Sequence, residues 1–270
     1  MNFVNIYNFF NLLSLLLLLF LVARATVHQG DETFNENTRG TQCTTNSFVF
    51  LLRNSMCTIE MASELDRVLF QGDHLHGVLN SSLGRLKAEK LSFDELQESV
   101  KKLCREDDNL QFGTISSGDI LASSAEPPFF TLEQALEESK ESSGALLRIG
   151  DYTSGVKLNA AGSIRLFDPH ARDENGFVNG DGTSVLIDFQ NKTSFHSYLK
   201  QFTMSNGTGH TDTCSTDTSS ISYTLRCFEL MPLFVQKKDC LQNLLKTIKN
   251  VSSEKASVSS KPDNRLGKNL

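Results

Sequence analysis

Arg165-Leu166-Phe167-Asp168-Pro169-His170-Ala171-Arg172 puts an Asp and a His two residues apart at the end of an apolar run. In a strand, residues i and i+2 share a face. The Asp168 carboxylate can then hold the His170 imidazole by a ring N–H. A base oriented in this way calls for a nucleophile elsewhere in the chain. Asp-Pro is also a common turn opening, and taken alone the stretch reads equally well as a turn.

Around this stretch the pattern is that of strands. After Gly144, short apolar runs at 145–149, 155–158, 163–167 and 184–189 are separated by Gly, Asn and Asp. They read as strands and hairpins, with Asn179-Gly180-Asp181-Gly182 as the clearest turn. Residues 194–202 read as a helix with Phe195, Tyr198 and Leu199 on one side. A Thr/Ser/Gly-rich loop at 206–220 leads to a strand at 222–235 and a final helix at 238–250.

Upstream, helices dominate. One starts at Cys43, where a polar first turn runs into Phe48-Val49-Phe50-Leu51-Leu52. A second covers 63–79, with Leu65, Val68, Leu69 and His76 as its buried stripe. A third covers 92–104, where Ser92 and Glu95 form a capping box. Pro127-Pro128 breaks the chain. Thr131 and Gln134 then cap a fourth helix over 131–139. Helices followed by a sheet make an α+β protein. No internal repeat is present.

Composition narrows the function. The chain has 270 residues, a formal net charge of -6 and no Trp. An acidic balance argues against a nucleic-acid partner. Six cysteines, at 43, 57, 104, 214, 227 and 240, are spread thinly, and no pair has metal-ligand spacing. Three disulfides in a secreted protein, or reduced thiols with one reactive member, both fit that count.

Residues 1–25 read as a leader. Leu12 to Val22 is an apolar core of signal-peptide length, and Ala23-Arg24-Ala25 suits cleavage after Ala25. An uncleaved N-terminal membrane anchor is the alternative. Residues 26–248 then form the folded domain, and 249–270 a polar tail expected to be disordered. Asn80, Asn191, Asn206 and Asn250 head glycosylation sequons, which arise by chance in a chain of this length.

Cys43 is the best nucleophile candidate. It sits where a loop enters a helix, and the free N–H groups and dipole there favour a thiolate. A free Cys is more often a small buried residue, so the position alone does not settle it. An early Cys on a helix and a late His on a sheet is the order of papain-like thiol enzymes.

His28-Gln29-Gly30-Asp31, Gly40-Thr41-Gln42-Cys43-Thr44-Thr45-Asn46-Ser47-Phe48, the Asp168-Pro169-His170 stretch, Gly176 and Gly182-Thr183-Ser184-Val185-Leu186 form a set. The set resembles the deubiquitinating cysteine proteases of herpesvirus large tegument proteins, peptidase family C76, from about residue 27 to residue 235. The resemblance implies a papain-like fold and a Cys-His-Asp triad acting on ubiquitin or ubiquitinated proteins. It implies Cys43 as nucleophile, His170 as general base, Asp168 as its orienter and Gln29 as oxyanion donor, with no cofactor or metal. Gln42, beside the Cys, is the rival donor. Such enzymes work in the cytosol or nucleus, whereas the leader points to the secretory pathway or a membrane.

Two other readings stand beside this one. The chain can be an inactive, disulfide-held secreted or tethered binding domain, or a papain-like protease with a substrate other than ubiquitin. His74-x-His76 has no third metal ligand at the right spacing and reads as a solvated helix face. Asp173-Glu174-Asn175 with Asp181 lacks the ordered spacing of a calcium loop and reads as a hairpin tip.

Overall fold

The helices begin where the sequence gives their first N–H groups a partner. Ser92 Oγ accepts from the Glu95 N–H at 3.2 Å, and the Glu95 carboxylate accepts from the Ser92 N–H at 2.8 Å. Thr131 and Gln134 exchange the same pair of bonds at 3.2 and 2.8 Å. The structure, a computed structural model, describes residues 19–103, 110–139, 142, 144–159, 161–206 and 222–230. The expected loop after 206, the last residues of the 222–235 strand, the 238–250 helix and the polar tail lie outside them.

The elements are β1 (Leu19–Arg24), α1 (Cys43–Met56), α2 (Ala62–Ser82), α3 (Phe93–Leu103), β2 (Leu110–Asp119), α4 (Leu132–Glu138), β3 (Gly144–Ile149), β4 (Tyr152–Leu158), β5 (Ile164–Arg172), β6 (Thr183–Phe189), α5 (Lys192–Asn206) and β7 (Ser222–Leu230). The strands form one antiparallel sheet in the order β1-β6-β5-β4-β3-β7-β2. Mixed helices and an antiparallel sheet make the protein α+β.

Strand alternation sorts the core into two layers. Leu146, Phe167 and Leu186 face a cluster built from α1, α2 and α3. Ala145, Leu147, Leu166, Val185 and Ile187 face a second cluster built with α4 and α5. The first ten residues of α1 are all buried. A helix enclosed on every side belongs to the interior rather than the surface. Its Phe50 ring stacks on Phe167 of β5 at 4.8 Å. Glycines permit this close seat. A Cβ on Gly155 of β4 would lie 3.1 Å from the Ser47 carbonyl oxygen, and one on Gly72 of α2 would lie 2.6 Å from the Asn46 Cα.

Residues 1–18 of the expected leader lie outside the described residues. Residues 19–24 form the edge strand β1, paired with β6 from Leu19↔Phe189 to Arg24↔Val185. Ala23 and Ala25 are buried. The Ala25 N–H donates to the Ser184 carbonyl at 2.9 Å, and Asp66 of α2 accepts from the Thr26 N–H at 2.7 Å and its hydroxyl at 3.0 Å. Cleavage after Ala25 would therefore take a strand out of the sheet. No helix among the described residues is long and apolar enough to cross a membrane.

The strand β2 had no counterpart in the sequence pattern. Its residues Leu-Gln-Phe-Gly-Thr-Ile-Ser-Ser-Gly-Asp carry two glycines and no clean alternation, and it forms by pairing along β7.

A chain beginning at residue 26 should be less stable than the full chain. It loses the β1 ladder and leaves β6 as a bare apolar edge. The expected cost is about 2–4 kcal/mol, from lost burial and hydrogen bonds. Urea unfolding of the two chains measures it, and coincident midpoints would show that β1 contributes nothing.

Candidate active site

Cys43 is the first residue of α1 and is buried, with a free thiol. Gln42 precedes it as N-cap. The Gln42 carbonyl accepts from the Asn46 N–H at 2.9 Å and the Thr45 hydroxyl at 2.8 Å. Its side chain is fully committed: Oε1 accepts from the Thr41 N–H at 3.0 Å, and Nε2 donates to Asp73 of α2 at 3.3 Å.

The histidine is placed by a break in the sheet. Asp168 pairs with Val185 and Arg172 with Thr183, so Pro169, His170 and Ala171 bulge out opposite Ser184 alone. Pro169 has no N–H to give a ladder. Its carbonyl instead accepts from the Ser184 hydroxyl at 2.8 Å and the Gln29 N–H at 2.9 Å. Asp168 Oδ1 accepts from the His170 backbone N–H at 3.0 Å and from its Nδ1 at 2.6 Å. The turn and the strand read from the sequence thus coexist: an Asx-type bond closes the turn, and the same oxygen holds the ring. With Nδ1 donating to Asp168, Nε2 is left for the Cys43 thiol, whose ionisation His170 favours.

Gln29 lies beside this bulge, buried, with its carbonyl accepting from the Gly40 N–H at 3.0 Å. Its side-chain Oε1 has no hydrogen-bond partner among the described residues. The two glutamines therefore differ in kind: Gln42 is tied into the α1–α2 contact, and Gln29 is anchored by its backbone.

Three further residues surround these, and no local pattern marks their parts. Thr153, on β4, lines the same cleft as Cys43 and favours its thiolate through both its backbone and its hydroxyl. The Tyr152 ring meets the His170 ring edge-on at 4.8 Å between centroids. Arg172 donates from Nε to Asp168 Oδ2 at 2.8 Å. Thr153 and Tyr152 stand in an ordinary strand with no local motif, and Arg172 was visible only as the end of the quoted stretch.

Charges at the site reinforce one another. Burial pushes the Cys43 thiol up, but the hydrogen bond and charge of His170 and the Thr153 donors outweigh it and bring it from 9.0 down to about 7. Burial pushes His170 down, and the Asp168 charge and hydrogen bond, with Cys43, raise it above its ordinary value. Burial also opposes the Asp168 carboxylate, yet the Arg172 and His170 charges hold it well below the usual carboxylate range. Both shifts favour a thiolate beside an imidazolium, the reactive form of a Cys–His pair. Cys43 borders a cleft of about 220 Å³, lined also by Leu91, Ser92, Arg148, Gly150 and Thr153.

This pairing predicts that alkylation of Cys43 by iodoacetamide rises with a midpoint near pH 7, not 9. Mass spectrometry of the Cys43 peptide across a pH series reads it. A midpoint at the ordinary thiol value would mean that His170 and the sulfur do not interact in solution.

No family model and no curated protein matches the sequence. In three dimensions the chain is similar to the ubiquitin-specific protease encoded by a tegument protein of murine cytomegalovirus, whose crystal structure holds a ubiquitin-based suicide substrate. The TM-score is 0.56 at 15% identity, over 84% of this chain and 94% of that one. The likeness is one of fold.

Proposed function

We propose that the protein is a papain-like thiol isopeptidase that releases ubiquitin from lysine side chains. The observation that carries this reading is the Asp168–His170 hydrogen bond at 2.6 Å beside a buried Cys43 at the head of a buried helix, with each of Cys43 and His170 favouring the charged form of the other. The fold likeness to a viral ubiquitin-specific protease supports the substrate class. Free thiols at Cys43, Cys57 and Cys227 weigh against a disulfide framework that enlists the nucleophile.

In this mechanism the Cys43 thiolate attacks the carbonyl of the isopeptide that joins the ubiquitin C-terminus to lysine. The imidazolium of His170 protonates the departing lysine amine. The ring, now neutral, takes a proton from water, which attacks the thioester and frees Cys43. Asp168 keeps Nδ1 occupied and the ring aligned through both steps. The Cys43 N–H, at the open end of α1, and the Gln29 side chain stabilise the oxyanion, each worth a few kcal/mol. Gln42 is held back from that role by Asp73 and Thr41.

A ubiquitin bearing a C-terminal electrophile tests the reading. The wild-type chain should form a covalent adduct, and Cys43→Ala should form none. Gln29→Ala should still be labelled while turnover falls about 10–100-fold, because an oxyanion donor acts mainly on the tetrahedral state. Labelling at Cys57 would refute the nucleophile assignment. A Cys43 that alkylates readily but ignores the probe would point to a protease with another substrate.

A further inference from the structure

Arg172 is an unusual residue to find inside a protein. It is fully buried, and among the described residues its Nη1 and Nη2 have no hydrogen-bond partner. Its guanidinium lies over the Tyr152 ring at 5.0 Å and the Phe202 ring of α5 at 4.7 Å. Aromatic faces attract a cation without fixing its direction in plane. The direction is fixed by the one bond from Nε to Asp168 Oδ2, at 2.8 Å. Asp168 is thereby divided: one oxygen for Arg172, the other for the two donors of His170. Tyr152 touches both ends of the arrangement, stacking under Arg172 and meeting His170 edge-on.

We propose that Arg172 is a positioning residue of this site, clamped between Tyr152 and Phe202 so that it holds one oxygen of Asp168 and keeps the other aimed at His170. The inference rests on the thiol-protease reading of the site. It adds that the orienting carboxylate is itself oriented, by a cation that never meets substrate. Planar geometry matters here, since an ammonium cannot fill a slot between two rings and also present a directed N–H in the ring plane.

The cation also sets the charge of the site. Without it, Asp168 would leave the Cys43–His170 pair with an uncompensated negative neighbour. Removing a positive charge makes every nearby proton harder to lose. The groups around the pair are Asp168 on β5 with Arg172 behind it, His28 with Asp31 on the segment before α1, Tyr152 and Thr153 on β4, Tyr198 of α5 behind Asp168, and Lys90, Glu95, Arg148 and Asp151 along the Cys43 cleft. Arg172 is the permanent cation bonded to Asp168.

The test uses the full chain with Arg172→Met and Arg172→Lys, and reads Cys43 alkylation against pH beside turnover of a fluorogenic ubiquitin substrate. Arg172→Met should move the alkylation midpoint up by about half to one pH unit and lower turnover about 10–100-fold. Arg172→Lys keeps the charge, so its midpoint should stay with wild type while turnover falls less. If both variants keep the wild-type midpoint, or lose activity only in proportion to unfolded protein, Arg172 is structural and the proposal fails. Should Arg172→Met not fold, the Nε–H resonance of Arg172 in the wild-type chain decides. It should follow the titration of Cys43, and a resonance blind to that titration overturns the role. Alkylation needs no ubiquitin, so a chain that behaves as expected there but leaves the ubiquitin substrate intact would sink the substrate assignment and not Arg172.

Discussion

Replacing His170 by Ala should lower kcat/KM on a fluorogenic ubiquitin substrate by about 10³-fold or more, as when a triad member is lost. In the proposed mechanism His170 both sustains the thiolate and supplies the proton for the leaving amine, held by its Nδ1 bond to Asp168 at 2.6 Å. Its loss also removes the largest influence that lowers the Cys43 thiol. The alkylation midpoint of the variant should therefore climb from about 7 toward the ordinary 9.0. Both readouts should change together. A variant that keeps most of its turnover, or one that keeps the low midpoint, would remove His170 from the role of base.

Asp168→Asn should cost less in turnover per folded molecule and far more in stability. On the catalytic side, a Cys–His pair ionises without a third group, and a thiolate is intrinsically a good nucleophile. The Asn amide still fills the space but offers an N–H where the imidazole needs an acceptor. On the stability side, Asp168 and Arg172 are both buried and bonded at 2.8 Å. Taking one partner from a buried pair leaves the other charge uncompensated, at a cost of about 3–5 kcal/mol. For a chain of this size that is roughly 10 °C in melting temperature.

The stability cost should also depend on pH. The folded-state Asp168 carboxyl lies below its ordinary 3.8. Its stabilising contribution is therefore fully present above that value and fades as pH falls through it. The gap between wild type and Asp168→Asn should narrow below about pH 4. Adding Arg172→Met to Asp168→Asn should recover part of the loss, because the orphaned cation is gone. A double variant less stable than Asp168→Asn alone would show that the Arg172 stacking, rather than its charge pairing, dominates.

Much of the chain declared itself locally. Ser92 with Glu95, and Thr131 with Gln134, satisfy their own helix starts within four residues, so nothing distant is needed to place them. The runs at 145–149 and 184–189 are nearly continuously apolar because each lies in a sheet with a helical layer on both faces. The two-residue spacing of Asp168 and His170 fixes their shared oxygen whether the backbone is called strand or turn. Cys43 at the mouth of an apolar helix is likewise a local fact.

Other features were settled only by residues far apart in sequence. The apolar residues 19–24 carry the same composition as the end of a leader and as an edge strand, and their pairing with β6, more than 150 positions on, makes them a strand in the fold. The glycine-bearing β2 has no strand signature of its own, and the ladder offered by β7 supplies it. Gln42 stood as the rival of Gln29 because it adjoins the cysteine; in the fold its amide meets Asp73 and Thr41, whereas Gln29 Oε1 has no partner among the described residues. Thr153 and Arg172 could not be read as partners of Cys43 and Asp168 until β4, β5 and α5 packed against one another. Caps, turns and periodicity act over a few residues and are written in the chain. Which side chain finally meets which across a sheet depends on how the sheet closes, and that is a property of the whole fold.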